Sequence, residues 1–233
     1  MRKRLAVLTP ALVGLLFLAA CARPPEEARK PAEEPTPKPP AVEEKAPPPE
    51  VKKEAKEAAR KEEPSPNVFK VRFDTSKGPF VVEVHRDWAP LGAARFEQLV
   101  KDGFYDGARF FRIVPNFVVQ FGLAASPAMT RKWDKPIKDD PVTQTNRLGA
   151  ITFATSGPNT RTTQLFINLR SNAMLDSQGF APFGRVVEGM DVVEKLYPGY
   201  GEQPDQDLIT RRGNKYLEEN FPKLDYIKKA TIL

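Results

Sequence analysis

The sequence predicts a mainly β domain, a closed and mostly antiparallel barrel flanked by two or three helices. Three observations predict it. Apolar residues alternate on either side of a tight turn at "TSKG". Several short apolar runs separated by turn residues fill the middle of the chain, and only a few segments carry helical spacing. This domain occupies residues 67–233, behind two N-terminal segments of different composition.

The first segment, 1–20, opens on Arg2-Lys3-Arg4 and continues as an apolar run broken only by Thr9 and Pro10. It is short for a membrane-spanning helix, which needs about 20 apolar residues. Its basic, apolar and small-residue regions follow the order of a secretory signal. The run closes on "LAAC", residues 18–21, which resembles the lipobox of bacterial lipoproteins. That resemblance implies cleavage before Cys21, a diacylglycerol on its thiol and an acylated amine. The expected location is the bacterial cell envelope, lipid-anchored and extracytoplasmic. Ala22, rather than Asp, after Cys21 leans toward an outer membrane. An ordinary signal ending at "AACA" is the other reading, but an unpaired thiol is unusual in a secreted chain. Cys21 is the only cysteine, so intramolecular disulfides are excluded.

Residues 21–66 carry that cysteine and then a linker. Positions 22–66 hold 12 of the 24 prolines, no aromatic residue, and only Val42 and Val51 as large aliphatics. Such a stretch buries too little apolar surface to offset chain entropy, which predicts disorder. Polyproline geometry at about 3.1 Å per residue lets it reach on the order of 100 Å from a membrane. A spacer is the plain reading, and a docking motif at "PTPKPP" is the sharper one.

The domain carries 23 basic and 19 acidic residues, a mild excess with no Lys/Arg run interleaved with aromatics. Nucleic acid is therefore not an expected partner. In "NVFKVRFDTSKGPFVVEVHRDWAP", Val68, Val71 and Phe73 precede the turn, and Val81, Val82 and Val84 follow it. His85, the only histidine, is expected as an exposed strand residue, and it has no companions for a metal site. Pro90 opens a helix to about Asp102, with Phe96, Leu99 and Val100 on one face and Gly103 as the stop. "GMDVVEKL" and "NKYLEENF" read as helices, and "DYIKKATIL" as a closing strand.

The stretch "RFFRIVPNFVVQFG", 109–122, places an always-charged side chain inside an apolar run. A strand over 110–114 sets Phe110, Arg112 and Val114 on one face. After a turn at Pro115-Asn116, Val118 and Gln120 share a face. "ATSGPNTRTTQLFIN" repeats the pattern, with a turn at Gly157-Pro158-Asn159 and then Gln164 and Phe166 on one face. Apolar floors thus carry one arginine and two amides. No carboxylate pair and no nucleophile–base pair accompanies them.

Three ordered blocks, "GFYDGARFFRIVPNFVVQFG", "ATSGPNTRTTQLFIN" and "FAPFGRVVEGMDVVEKL", resemble the cyclophilin-type peptidyl-prolyl isomerases. With the hairpin and first helix they span most of residues 68–197. The resemblance implies an eight-stranded barrel and rotation of X–Pro bonds in extracytoplasmic proteins as they fold. Proline-containing polypeptides are the partners it implies; a monomer is expected, and the sequence supports no metal or nucleotide cofactor. The resemblance makes Arg112 the catalytic guanidinium. Phe117, Val118, Phe166, Met174 and Leu175 would form the proline pocket, with Phe180 at its edge. Gln120, Gln164 and the backbone at Ala154-Thr155 would hold the substrate chain.

The chain departs from the better-known members at four positions. Met174 stands for Trp, Phe180 for His, Val118 for a common Met and Thr155 for a common Asn, which bears on cyclosporin affinity and substrate preference. Residues 123–147 lack a glycine-rich run found in the family, and form either a structured excursion or a lid, with Trp133 expected to pack down onto the barrel. The tail from Tyr197 extends beyond the minimal family core. The alternative function is a non-catalytic module that holds proline segments in the same groove. Arg112 argues against it, because a pure binder gains little from a charge aimed at an amide nitrogen. A purely structural envelope protein is disfavoured by so intact a groove.

Overall fold

In the computed structural model, Val68–Thr75 (β1) and Gly78–His85 (β2) pair in register from Val68↔His85 to Thr75↔Gly78 across a two-residue connection. The structure describes residues 67–233, so the signal segment, Cys21 and the linker lie outside the described residues. Thr75 closes the turn: its hydroxyl donates to the Gly78 carbonyl at 2.6 Å and accepts from the Lys77 N–H at 3.1 Å. Val71, Phe73, Phe80, Val82 and Val84 from the two strands are buried in the main core.

The remaining strands are Arg112–Val114 (β3), Val118–Phe121 (β4), Ala150–Phe153 (β5), Leu165–Asn168 (β6), Pro182–Glu188 (β7) and Ile227–Ile232 (β8). They form one curled, mainly antiparallel sheet of eight strands in the order β3-β4-β6-β5-β7-β2-β1-β8. Near its two ends, Gly107 N–H donates to Ile227 O, Ile227 N–H to Ala108 O, and Phe110 N–H to Asp225 O, at 2.8 to 3.0 Å. Phe73 stacks on Phe80 at 4.9 Å and meets Phe121 edge-on at 5.9 Å, at the centre of the core.

Helix α1, Pro90–Lys101, starts on proline and buries Gly92, Ala93, Phe96, Leu99 and Val100. It stops at Gly103, whose φ of 66° lets Phe104 N–H reach back to Leu99 O at 2.9 Å. Its N-cap, Ala89, has no side chain to cap with. The carboxylate comes instead from Asp140, which accepts from Leu91 N–H at 3.0 Å and Gly92 N–H at 2.8 Å. Asp140 is in turn paired with buried Arg161 at 3.1 Å; Arg161 also meets Asp139 and donates to the Lys138 carbonyl.

Residues 123–147 are therefore a structured excursion rather than a loose lid. They contain a second helix, Pro127–Trp133 (α2), and are pinned at Ile137 and Asp140. Trp133 packs against the core and donates its indole N–H to Asp102 at 2.6 Å.

The described residues hold five α-helices, not two or three. Met190–Glu194 (α3) and Asn214–Asn220 (α5) match the sequence reading, whereas α2 and Gln206–Arg212 (α4) were not expected. Each unexpected helix spans two turns, too few for an apolar repeat to declare itself. In the tail, Phe111, Leu123, Ile209, Tyr216, Leu217 and Leu224 form an apolar cluster separate from the main core. His85 also differs from expectation. It is half-buried, stacked on Trp88 at 3.9 Å and 3.0 Å from the Glu83 carboxylate, because the chain after β2 folds the indole back over it. No helix among the described residues is long and apolar enough to cross a membrane.

Two predictions concern the anchoring of α1. Asp140→Ala removes one of the two carboxylates paired with buried Arg161 and uncaps the helix, so denaturant unfolding should show a loss of about 2–5 kcal/mol. A loss below ~1 kcal/mol would show that the pair is not what anchors the excursion. Glu97 on α1 accepts from Arg86 at 2.7 Å and lies 2.8 Å from Lys101. Hydrogen bonding to Arg86, then Lys101, pulls its carboxyl from an ordinary 4.5 down to about 2. A depressed carboxyl stabilises the fold fully above the unfolded value, and that contribution is lost as pH falls toward the folded one. Stability should therefore fall less steeply between pH 4.5 and 2 in Glu97→Gln than in wild type, as read by urea titrations at stepped pH.

Candidate active site

The site is built by strand register. Asn116, at φ 59°, turns the chain between β3 and β4 and sets Arg112 opposite Gln120. Gln120 in turn pairs with Phe166 on β6. Residues directly opposite in adjacent strands point to the same face, so arginine, amide and aromatic ring stand in one row. The Arg112 Nη1 donates to Gln120 Oε1 at 3.1 Å, and Gln120 Nε2 donates to Gln164 Oε1 at 2.8 Å. Gly122, with φ 102°, follows this row. A Cβ there would run into the Thr163 carbonyl oxygen, so glycine permits the close approach of the chain around Gln164.

On this face lies a cavity of about 280 Å³ lined by Arg112, Phe117, Val118, Gln120, Ala154, Thr155, Phe166, Leu175, Gln178 and Phe180. Val118, Phe166 and Leu175 form its buried floor, a small apolar cluster distinct from the main core. Phe180 meets Phe166 edge-on at 5.6 Å. A second cavity of about 230 Å³ adjoins it, lined by Gln120, Ala154, Thr155, Ser156, Thr160, Thr162, Gln164 and Gln206. Its side chains are almost all polar.

Of the residues singled out from sequence, nine line the first cavity, and Gln164 lines the second while bonding to Gln120. Met174 is not brought to either cavity. It lies in the short 3-10 turn Ala173–Gln178, where successive side chains project about 120° apart. Leu175 is buried there and Met174 is 52% exposed. At Ala154 the N–H donates to Gln164 O at 2.9 Å, so the carbonyl is the group left for a partner. The Thr155 hydroxyl serves its own turn, donating to the Gly157 carbonyl and lying 2.8 Å from Thr160 Oγ1.

Several site features were not read from sequence. Gln178 completes the apolar cavity, and Gln206 reaches the polar one from α4. Glu202 pairs with Arg112, Oε1 lying 2.6 Å from Nε and 2.5 Å from Nη2. Behind the floor, Asn146 donates to Phe180 O at 2.8 Å and Asn172 to Phe117 O at 3.0 Å. Asn168 links these two, bonding Asn146 at 3.2 Å and Asn172 at 2.8 Å. An asparagine in a strand or turn carries no spacing signal, so only the folded contacts reveal this buried network.

The arrangement offers a fixed positive charge, two oriented amides and an apolar recess. It has no nucleophile with an adjacent base. Among the described residues no group of three or more His, Cys, Asp or Glu is placed to hold a metal ion.

The family described as cyclophilin type peptidyl-prolyl cis-trans isomerase/CLD matches residues 70–212. A peptidyl-prolyl cis-trans isomerase of Acinetobacter baylyi is 36% identical over 132 residues, covering 54% of this chain and 70% of that protein. A peptidyl-prolyl cis-trans isomerase-like 1 of Emericella nidulans is also 36% identical, over 80% of its length. Among solved structures, a cyclophilin-type isomerase of Cryptosporidium parvum covers 71% of this chain and 98% of its own, with a TM-score of 0.54 at 21% identity. The same protein in the presence of the dipeptide Ala-Pro aligns with a TM-score of 0.52. On the family match and the relatives' coverage, this chain belongs to the cyclophilin-type peptidyl-prolyl cis-trans isomerases.

Proposed function

We propose that the chain catalyses cis–trans rotation of X–Pro bonds with Arg112 as the catalytic group. The observation that carries this is a quarter-exposed guanidinium at the wall of an apolar cavity, fixed by Gln120 and Glu202. An X–Pro bond faces a barrier of roughly 18–20 kcal/mol because the amide nitrogen is conjugated with the carbonyl. Rotation breaks no covalent bond. It localises the lone pair on nitrogen, which then accepts a hydrogen bond that the planar ground state cannot accept well.

A charged donor aimed at that nitrogen binds the transition state more tightly than either isomer. A guanidinium carries its charge without titrating in the working range. Its bond is worth about 1.5–3 kcal/mol. A thousandfold acceleration needs roughly 4 kcal/mol. The rest is assigned to immobilising the ring against Phe166, Val118, Leu175, Phe117 and Phe180 while the preceding carbonyl turns. Gln164 and the Ala154 carbonyl hold the substrate backbone, and Thr155 helps to shape the boundary between the two cavities. A similar protein whose structure was determined in the presence of the dipeptide Ala-Pro supports a proline-containing ligand.

The same reading extends to the chain's setting. Cys21 carries a lipid that anchors a monomeric isomerase outside the cytoplasm, and the linker holds the domain away from the membrane. The "LAAC" pattern and the proline-rich composition of 22–66 support this. The barrel is taken to close, a reading supported by the hydrogen bonds between residues 107–110 and 225–227.

Exchange of an Ala-Pro-Phe peptide followed by NMR should be accelerated by the chain and slowed roughly 10- to 150-fold by Arg112→Ala, the equivalent of one charge-assisted bond. Arg112→Lys keeps the charge but loses the fork, and should stay well below wild type. Unchanged exchange in a folded Arg112→Ala protein would remove the arginine from the mechanism. For the anchor, bacterially expressed wild type should enter the detergent phase of a cloud-point separation, and Cys21→Ser should remain in the aqueous phase. Equal partitioning of the two would rule the lipid out.

A further inference from the structure

We infer that Glu202 is a positioning residue for Arg112, an inference that rests on Arg112 acting on the substrate. Counting donors shows what Glu202 does. A guanidinium has five N–H groups in a rigid fork. Glu202 Oε1 accepts from Nε at 2.6 Å and lies 2.5 Å from Nη2 as an ion pair. Gln120 Oε1 takes one hydrogen of Nη1 at 3.1 Å. Hydrogens remain on both terminal nitrogens of a group that is held from two sides and lines the apolar cavity. Without Glu202, the single Gln120 bond leaves the fork free to swing about Nε and the side-chain torsions.

The carboxylate is 62% exposed, and an ion pair this open contributes little to stability. Its effect falls on the orientation of Arg112 instead. The loop that bears it is tied down on both sides. Gly201 O accepts from Ile113 N–H at 3.2 Å, one residue beyond Arg112, and Gly201 N–H donates to Pro198 O at 2.9 Å. Before the glutamate, Tyr200 packs edge-on against Phe221 at 5.1 Å. After it, Pro204 is buried and Asp205 N–H donates to the Tyr216 hydroxyl at 3.2 Å. Both anchors belong to the apolar cluster around Ile209, Tyr216 and Leu217. The tail helices thus work as a bracket that delivers one carboxylate to the back edge of the guanidinium.

The test uses the whole chain and two readouts. In wild type the Arg112 Nε–H should give a resolved 1H–15N signal, assigned by its loss in Arg112→Lys and slowed in solvent exchange by the carboxylate. Glu202→Ala and the isosteric Glu202→Gln should lose that protection. They should lower kcat by about 3- to 10-fold, as expected for a misaligned catalytic group, with KM unchanged. Glu202→Asp should restore part of both, and the unfolding midpoint should not move. Full kcat in Glu202→Ala, alongside an inactive Arg112→Ala, would overturn the inference and leave the arginine's role standing. A raised KM at constant kcat would overturn it by making Glu202 a substrate contact. A faster Glu202→Ala would overturn it by making the carboxylate a competitor for the guanidinium. An active Arg112→Ala would overturn both readings together.

Discussion

A guanidinium inside an apolar stretch must be given partners, and most of what surrounds the cavity follows from that requirement. Burying a charge without compensation costs several kcal/mol. Arg112 meets the requirement through strand register, which sets Gln120 opposite it, and through a loop that brings Glu202 to its far edge. Gln120 can serve the arginine because its own amide is oriented by Gln164, and Gln164 is held near by the close approach at Gly122. A shift of one residue in this register would turn the row away from the cavity. The turn at Asn116 therefore fixes where the chemistry can happen.

Arg161 solves the same electrostatic problem in another way. Its side chain is 3% exposed, and two aspartates and a backbone carbonyl surround it. It joins the 123–147 excursion to the start of α1 and lines neither of the two cavities described above. Arg112 is 25% exposed and keeps hydrogens in hand beside an apolar recess. What separates the two arginines is exposure to an apolar recess, not the residue type or its distance from acids.

The core of the site was legible in the sequence because it rests on strands. Period-two alternation placed Arg112, Val118, Gln120, Gln164 and Phe166 on shared faces, and the three ordered blocks fixed how those faces meet. Met174 was misplaced relative to the cavity because a 3-10 turn has no alternation to read, and its neighbour Leu175 takes the inward position. Glu202 and Gln206 were invisible for another reason: they lie in a tail joined to the site only by tertiary packing, about 90 residues from Arg112 along the chain. Asp140 as the cap of α1 escaped notice because capping rules look a few residues away, whereas this cap comes from 48 residues downstream. His85 was expected to be exposed because nothing in its strand announces the Trp88 ring that covers it.

The two cavities suit the geometry of a rotation. Turning one side of an amide bond requires the other side to stay still. The apolar cavity has a floor of its own, and the Asn146–Asn168–Asn172 network holds the backbone carbonyls of Phe117 and Phe180 from behind. That is the rigid half, where a ring is gripped by shape. The adjoining cavity is walled by hydroxyls and amides, which exchange hydrogen-bond partners readily and suit a segment that moves. Gln120 lines both, and in the proposed mechanism the arginine bonded to it stands where the still and moving halves of the substrate would meet. A rigid recess alone would bind proline without turning it, and a polar cleft alone would let the whole peptide turn together. In the proposed mechanism, a guanidinium at their boundary directs its donors to the one atom whose electronic character changes during the rotation.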